Sequence, residues 1–336
     1  MELKTIFGKR RNKKKEESIL GLEILADGIN SVVLKNGQKG KAQLHNKKSV
    51  SYANNEMMRS LITQMISESD CQSCAITLSS GFYQLMLLDA PDVTEDELGG
   101  AMKWKIAEIN NQSPNSIVVD SFKLPADAYR GRMSMCYSAV VDKTFIADLV
   151  ETVESCKVKL IGITINELSV AQLMNWMPAF NGINVVVIKP DKTGGMLCLM
   201  EGADIYLCRT LEGYFSSGNI EQEFLKDMGH IDNLALDIQR SLDYYESQLG
   251  KAGVEMGFVL IDGNEGLNLT EQLNDRLPIP MVLLKLNELF ENINTECEST
   301  YASAIGAGLW GFSEENEATG GWQVTRGISW KCARSV

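Results

Sequence analysis

No stretch of the sequence reads GxSxG, HExxH or GxxxxGK[ST], so nothing in it points to a serine-hydrolase elbow, a zinc-protease helix or a P-loop. No apolar run approaches the roughly 18 residues that a membrane-spanning helix needs, and the body is expected to be soluble. Basic charge is in deficit. The 32 Lys and Arg residues against 44 Asp and Glu leave a formal net charge of -12, which repels polyanions and argues against a nucleic-acid partner. Histidine is confined to His45 and His230, and CQSC (Cys71–Cys74) has no second pair at metal spacing. No metal site is expected, and the eight scattered cysteines read as reduced thiols without disulfides. A signal peptide would need a long apolar run behind its positive charges, whereas KRRNKKK (Lys9–Lys15) runs into Glu16 and Glu17. The expected location is the cytoplasm.

What is present is an ordinary globular composition, 44% hydrophobic and 23% charged over 336 residues, enough for two cores. Ile19–Leu25 and Ser31–Lys35 are apolar runs separated by Asp27-Gly28, and Asn36-Gly37 offers a second turn before KAQLH, which predicts a three-stranded meander. Met57, Leu61, Met65 and Ser69, with Ile62 and Ile66 beside them, predict an amphipathic helix over Glu56–Ser69. Strands CAITLSS and FYQLMLL follow. Thr94 with Glu97 three residues on is a capping-box signature, opening a helix that carries Leu98, Met102, Ile106 and Ile109. Strands SIVVDSFKL and MSMCYSAVV, a helix Lys143–Cys156 and a strand KVKLIGITI then complete a small α+β insert, expected over about 89–160.

After a helix Glu167–Trp176, the run NVVVIKPDKTGGMLCLMEGADIYLCRTL repeats the opening pattern of three apolar strands with glycine-bearing turns. The chain therefore reads as duplicated, one half starting near Gly21 and the other near Asn184. A long helix from about Ile220 carries Leu234, Ile238, Leu242, Tyr245 and Leu249 on one stripe. A strand GFVLIDG, a helix Leu267–Arg276, a strand PMVLLKL and a small-residue helix YASAIGAGL close the fold. GAGLWG (Gly306–Gly311) has the spacing GxGxxG, but it lies on a helix with no βαβ unit around it, so close helix packing is expected there and dinucleotide binding is not. DGNEGLN has the outline of a calcium loop and fails at position 6, Leu267, and position 12, Leu273.

Two meander-headed halves, a long helix and a glycine-bearing strand end resemble the actin-like ATPase superfamily. TIFGKRRNKKKEESILGLEILADGINSVVLKNG, LGGAMKWKIAEINNQSPNSIVVDSFKLP, LALDIQRSLDYYES and YASAIGAGLWG further resemble the PilM family of type IV pilus assembly proteins, spanning Thr5 to Gly311. Degenerate nucleotide loops and the length favour the branch serving the mannose-sensitive haemagglutinin (MSHA) pilus. The resemblance implies an α/β, ribonuclease H-like, two-lobed fold. Its expected parts are a basic head (1–17), a first lobe (18–180) holding the insert, a second lobe (181–312) and a loose tail (313–336). It also implies a cytoplasmic scaffold at the inner membrane that grips the N-terminal tail of a single-span PilN-like protein and links motor to platform. Leu3, Ile6 and Phe7 ahead of the basic cluster fit either a solvated tail or peripheral contact with an anionic membrane surface.

In that superfamily two hairpin turns clamp the β- and γ-phosphates of ATP, and an aspartate on the first strand orients hydrated Mg²⁺. Here Glu23 holds that place, its carboxylate displaced by roughly 1.5 Å, one C–C bond; magnesium tolerates such a displacement poorly. Leu25, Ala26 and Asp27 precede Gly28, with Ser31 beyond. An anionic Asp27 near a phosphate would cost on the order of 4 kcal/mol per charge pair. In the second turn Pro190 lacks an N–H, while Lys192, Thr193, Gly194 and Gly195 offer an anion nest. The adenosine loop is LIDGNEGLN, with Gly263 and Gly266, and Arg240 either approaches it or pairs with Asp237 or Asp243. Trp104 is the candidate wall of a partner groove, although its place beside the insert helix's apolar face favours burial. Hydrolysis is expected to be lost and ATP with Mg²⁺ to bind weakly or not at all; the rival reading is an active ATPase that switches partner affinity, and a sugar-kinase-like enzyme stands third.

Overall fold

In the computed structural model of the protein, the described residues are 18–38, 40–191, 194–215, 228–292 and 297–317. The head 1–17 and the residues from 318 onward lie outside them, as do Lys192, Thr193 and the start of the predicted long helix.

The opening meander forms as the turn dipeptides predict: β1 (Ser18–Ile24), β2 (Gly28–Asn36) and β3 (Ala42–Ser51) pair antiparallel. Helix α1 (Asn55–Ser69), capped by the Asn54 side chain, carries the chain to β4 (Ser73–Leu78), which pairs parallel with β1. The helix buries Met58, Ile62, Met65 and Ile66 and leaves Met57 46% exposed, so its apolar stripe is turned from the one predicted through Met57. Next come β5 (Gln84–Asp89), α2 (Glu95–Ile109), β6 (Ile117–Lys123), β7 (Met135–Asp142), α3 (Lys143–Ser155), β8 (Lys159–Ile165) and α4 (Asn166–Asn175). The second half contains β9 (Asn184–Lys189), β10 (Met196–Glu201), β11 (Asp204–Thr210), α5 (Met228–Ser247), β12 (Met256–Val259), α6 (Gly263–Asn274), β13 (Met281–Leu283) and α7 (Ala302–Glu317).

Two five-stranded sheets have the orders β3-β2-β1-β4-β8 and β11-β10-β9-β12-β13. Each is an antiparallel meander whose first strand continues into two parallel strands, so the halves share one topology. A separate sheet, β5-β7-β6, carries α2 on one face through Leu98, Met102 and Ile106. This smaller layer runs from Gln84 to Asp142, not over 89–160: β5 pairs with β7 residue for residue, while α3 packs on α1 and β8 returns to β4. The helix α7 continues to Glu317, beyond the expected lobe end at 312.

Between the large sheets lie α4 and α7. Although α7 follows the second sheet, it rests on β1, β2 and β4 of the first and on α4, which also touches β10 and β11. This crossing needs bare backbone. A Cβ on Gly306 would fall 2.0 Å from the Ser169 carbonyl oxygen, and one on Gly21 would fall 2.1 Å from that of Ala304. The GAGLWG spacing is thus a helix-packing device.

The insert also leans on the second lobe. Asp127, between β6 and β7, accepts hydrogen bonds from Tyr206 (2.7 Å) and Lys251 (2.6 Å), and the Tyr129 and Tyr244 hydroxyls meet at 2.9 Å. Tyr129 and Arg130 reach this contact with left-handed backbones, φ 54° and 56°.

Candidate functional site

The C-terminal ends of the parallel strands converge where the two lobes meet, the position at which α/β sheets commonly bind ligands. Glu23 on β1 lies opposite Asn30 on β2 and beside Thr77 on β4. Residues in register on neighbouring strands share a face, here the one that α7 covers. Lys189 closes β9 of the other lobe, and its Nζ lies 2.7 Å from Glu23 Oε1. Asn30 Nδ2 donates to Glu23 Oε2 (3.0 Å) and to the Thr300 carbonyl (2.9 Å). Glu23 and Lys189 are 0% and 5% exposed, so this ion pair joins the lobes inside the molecule.

Around the pair is a polar floor. Among the described residues, Asn30 Oδ1, Thr77 Oγ1, Ser79 Oγ and Asn166 Oδ1 are buried without a hydrogen-bond partner in the protein. Glu167, in the first turn of α4, is buried and accepts a hydrogen bond from the Tyr83 hydroxyl at 2.5 Å. Burial pushes the Glu167 carboxyl above the usual range, opposed by the Tyr83 bond and the Lys189 charge. Ser80, just after β4, donates to Asp191, just after β9, at 3.1 Å.

The turns that flank this floor are tied into the protein. In the first, the Leu25 N–H donates to the Gly28 carbonyl (2.9 Å), and the Tyr52 N–H to that of Asp27 (2.9 Å). The Tyr52 hydroxyl donates to the Leu25 carbonyl; burial and then the Asp27 charge push that phenol up to about 12. In the second, Gly194 and Gly195 have φ of 125° and 100°, and the Gly194 N–H donates to the Asp191 carbonyl at 3.0 Å.

A comparison with solved structures aligns the chain with a chain of the PilM-PilN type IV pilus biogenesis complex at a TM-score of 0.69 and 18% identity, covering 87% of this chain and 98% of that one. With the twin sheet orders, this decides the architecture. The fold is actin-like, with two lobes. The chain also aligns with the cytoplasmic domain of EpsL, an inner-membrane component of the Vibrio cholerae type II secretion system (TM-score 0.47, 10% identity, 93% of this chain and 99% of that one). A Bacteroides thetaiotaomicron protein with actin-like ATPase fold gives 0.49 at 11% identity, covering 88% and 99%. No protein-family model matches the chain, and no curated protein matches it.

On this actin-like frame the candidate residues separate. Glu23, the position from which the resemblance would orient magnesium, has an ammonium at 2.7 Å instead, and the strand end facing it supplies Lys189 rather than a carboxylate. That donor set does not fit a hydrated Mg²⁺. Ser31 is buried in the sheet and donates to the Lys48 carbonyl at 3.3 Å. Gly28 begins β2 with Val50 backbone beside it, and in the second clamp one N–H of the expected nest already has a protein acceptor. Lys192 and Thr193 lie outside the described residues.

In the stretch LIDGNEGLN, where the resemblance would seat adenosine, Gly263 opens α6 at φ 67°, and a Cβ on Gly266 would fall 2.6 Å from the Ile261 carbonyl oxygen. The Asp262 carboxylate between strand and helix accepts from the Ser299 N–H at 2.6 Å. Arg240 pairs with Asp237 at 3.0 Å and lines a cavity of about 400 Å³ together with Tyr214 and His230. Trp104 is 69% exposed: it stands on the outer side of α2, and the burial expected from its neighbours does not occur. Residue reading missed Asn30, Tyr83 and Glu167 as members of the site. A lysine ending the apolar run NVVVIK was the visible signal for the pair, but its partner lies 166 residues away in sequence.

Proposed function

We propose that this protein is an actin-fold scaffold of type IV pilus assembly, of the MSHA branch in the manner of MshI. It would work in the cytoplasm at the inner membrane, grip the N-terminal tail of a PilN-like single-span protein, and connect pilus motor and platform components. The observation that carries the scaffold reading is the buried Glu23–Lys189 pair. A magnesium-bound triphosphate entering there would have to displace an ammonium already held by the carboxylate, and separating a buried pair leaves uncompensated charge at a cost of roughly 3–5 kcal/mol. Binding of a polypeptide on the outside of the lobes requires no such rupture. The pilus context is drawn from the likeness to PilM, which extends over lobes and insert together. Trp104, exposed on the insert helix, supplies an aromatic anchor of the kind that dominates protein interfaces. The basic head would add membrane contact.

A second reading, an ATPase whose closure alters partner affinity, is favoured by the unpaired oxygens of Thr77, Ser79 and Asn166 and by the buried Glu167 carboxylate. Retention of the full chain on an immobilised PilN-like N-terminal tail, with and without Mg-ATP, separates the two. Equal retention supports the scaffold; retention that appears or disappears with nucleotide supports the ATPase; no retention in either condition sinks both.

A further inference from the structure

Cys198 on β10 and Cys208 on β11 stand directly opposite each other, with sulfurs 3.2 Å apart. Among the described cysteines this is the one pair in hydrogen-bond contact with each other. The backbone around them sets the geometry. Leu211 N–H donates to the Gly195 carbonyl at 2.8 Å, and with the register Met196↔Thr210 the alternation of an antiparallel ladder makes Cys198/Cys208 a non-hydrogen-bonded pair. The Tyr137 hydroxyl of the insert corroborates this, because it accepts from the Cys208 N–H (2.8 Å) and donates to its carbonyl (3.3 Å), both on the side away from β10. Non-hydrogen-bonded pairs have Cα atoms about 4.5 Å apart, inside the range a disulfide spans, and closing to a bond of about 2.05 Å asks each sulfur to move roughly 0.6 Å.

We propose that Cys198 and Cys208 form a redox site that closes to a cross-strand disulfide with a hydroperoxide as oxidant. Cys208, on the edge strand β11, is the less buried residue of the two although its sulfur is itself desolvated, and Cys198 is fully buried. The Cys208 sulfur attacks the peroxide; the O–O bond breaks, a sulfenic acid forms, and the departing oxygen leaves as water or alcohol. Cys198 sulfur then attacks the Cys208 sulfur, the S–O bond breaks, and a second oxygen departs as water with the proton of the Cys198 thiol. Two electrons pass from the two thiols to the peroxide. Burial, the contact with Cys198 and the Glu167 charge hold the Cys208 thiol well above its ordinary value, so the first step accelerates with pH, about tenfold per unit. The site lies beneath the seam: Tyr137 ties it to the insert, and α4, which carries Glu167, touches both strands.

The test uses the reduced full chain, treated with hydrogen peroxide at graded concentrations and at two pH values, then alkylated under denaturing conditions and mapped by mass spectrometry. The expected result is joint loss of alkylation at Cys198 and Cys208, a crosslinked peptide lighter by two hydrogens, reversal by dithiothreitol, and a rate about tenfold faster one pH unit higher. In Cys208→Ser, Cys198 stays alkylatable at the same dose. If that variant fails to fold, the wild-type crosslink map still decides. Full alkylation of both cysteines at doses that oxidise the chain's methionines, loss of either as a sulfinic acid, or pairing of either with another cysteine would overturn the proposal.

Discussion

Glu23 and Lys189 each give up hydration to meet inside the molecule, and the Coulombic gain of such a contact is largely offset by that loss. The pair therefore acts less as a source of stability than as a constraint on what else the lobe junction can hold. Lys189→Met is expected to lower the unfolding free energy by roughly 3–5 kcal/mol, while Glu23→Leu combined with Lys189→Met recovers most of that loss. Urea unfolding of the two single variants and the double one checks this, and additive losses would contradict it. Glu167 gives a pH signature. Its folded-state value is raised by burial, so the folded chain holds that proton more tightly, and the contribution is present in acid and lost as pH rises through the folded value. Glu167→Gln, which preserves an acceptor for Tyr83, should match the wild type near about pH 4 and become the more stable of the two towards neutrality; urea midpoints measured across that window would show it. None of these partners is adjacent in sequence. The lysine at the end of NVVVIK shows that a charge closes a buried strand, but residue spacing carries no information on which strand end of the other half it meets.

At the scale of elements, local chemistry was legible where it acts locally. The Asp27-Gly28 and Asn36-Gly37 turns delimit the first meander, and the Thr94/Glu97 capping box opens α2 as read. The orientation of α1 and the sheet that receives β5 and β8 were not, because adjacent helical faces of α1 are nearly equally apolar and a strand's composition does not name its neighbour. The helix α7 shows what small residues accomplish once tertiary contacts are known. Gly306→Ala would drive a Cβ into the Ser169 carbonyl and is expected to cost about 1–3 kcal/mol or more. Gly100→Ala in α2, where the added carbon meets nothing within 4 Å, should stabilise by about 0.5–1 kcal/mol. Thermal unfolding of the two variants should move in opposite directions; a parallel shift would mean that helix propensity, not backbone clearance, governs both sites.

At the scale of the molecule, the contacts that join the lobes include, among the described residues, the Glu23–Lys189 pair, the Ser80–Asp191 bond and the insert's seam on the second lobe. Lys251 organises that seam, with Asp127 and Glu201 each 2.6 Å from its ammonium and the Tyr206 ring beneath it. Lys251→Met should raise hydrogen exchange in β7 and in the stretch 124–132 by at least severalfold, while β12 and β13 keep their protection. The duplicated architecture was visible in the two meanders, since alternating apolar runs and turn glycines recur at the same place in each half. The seam was not, because it joins side chains from a loop of one half to a strand and a helix end of the other. On the proposed scaffold reading, the buried Glu23–Lys189 pair fills the lobe junction and leaves no working place for Mg-ATP. Isothermal titration of Mg-ATP into the full chain, with phosphate release followed on the same sample, decides this: no saturable heat up to about millimolar nucleotide and no turnover are expected, and a saturable micromolar isotherm with steady turnover abolished by Glu23→Ala would contradict the reading.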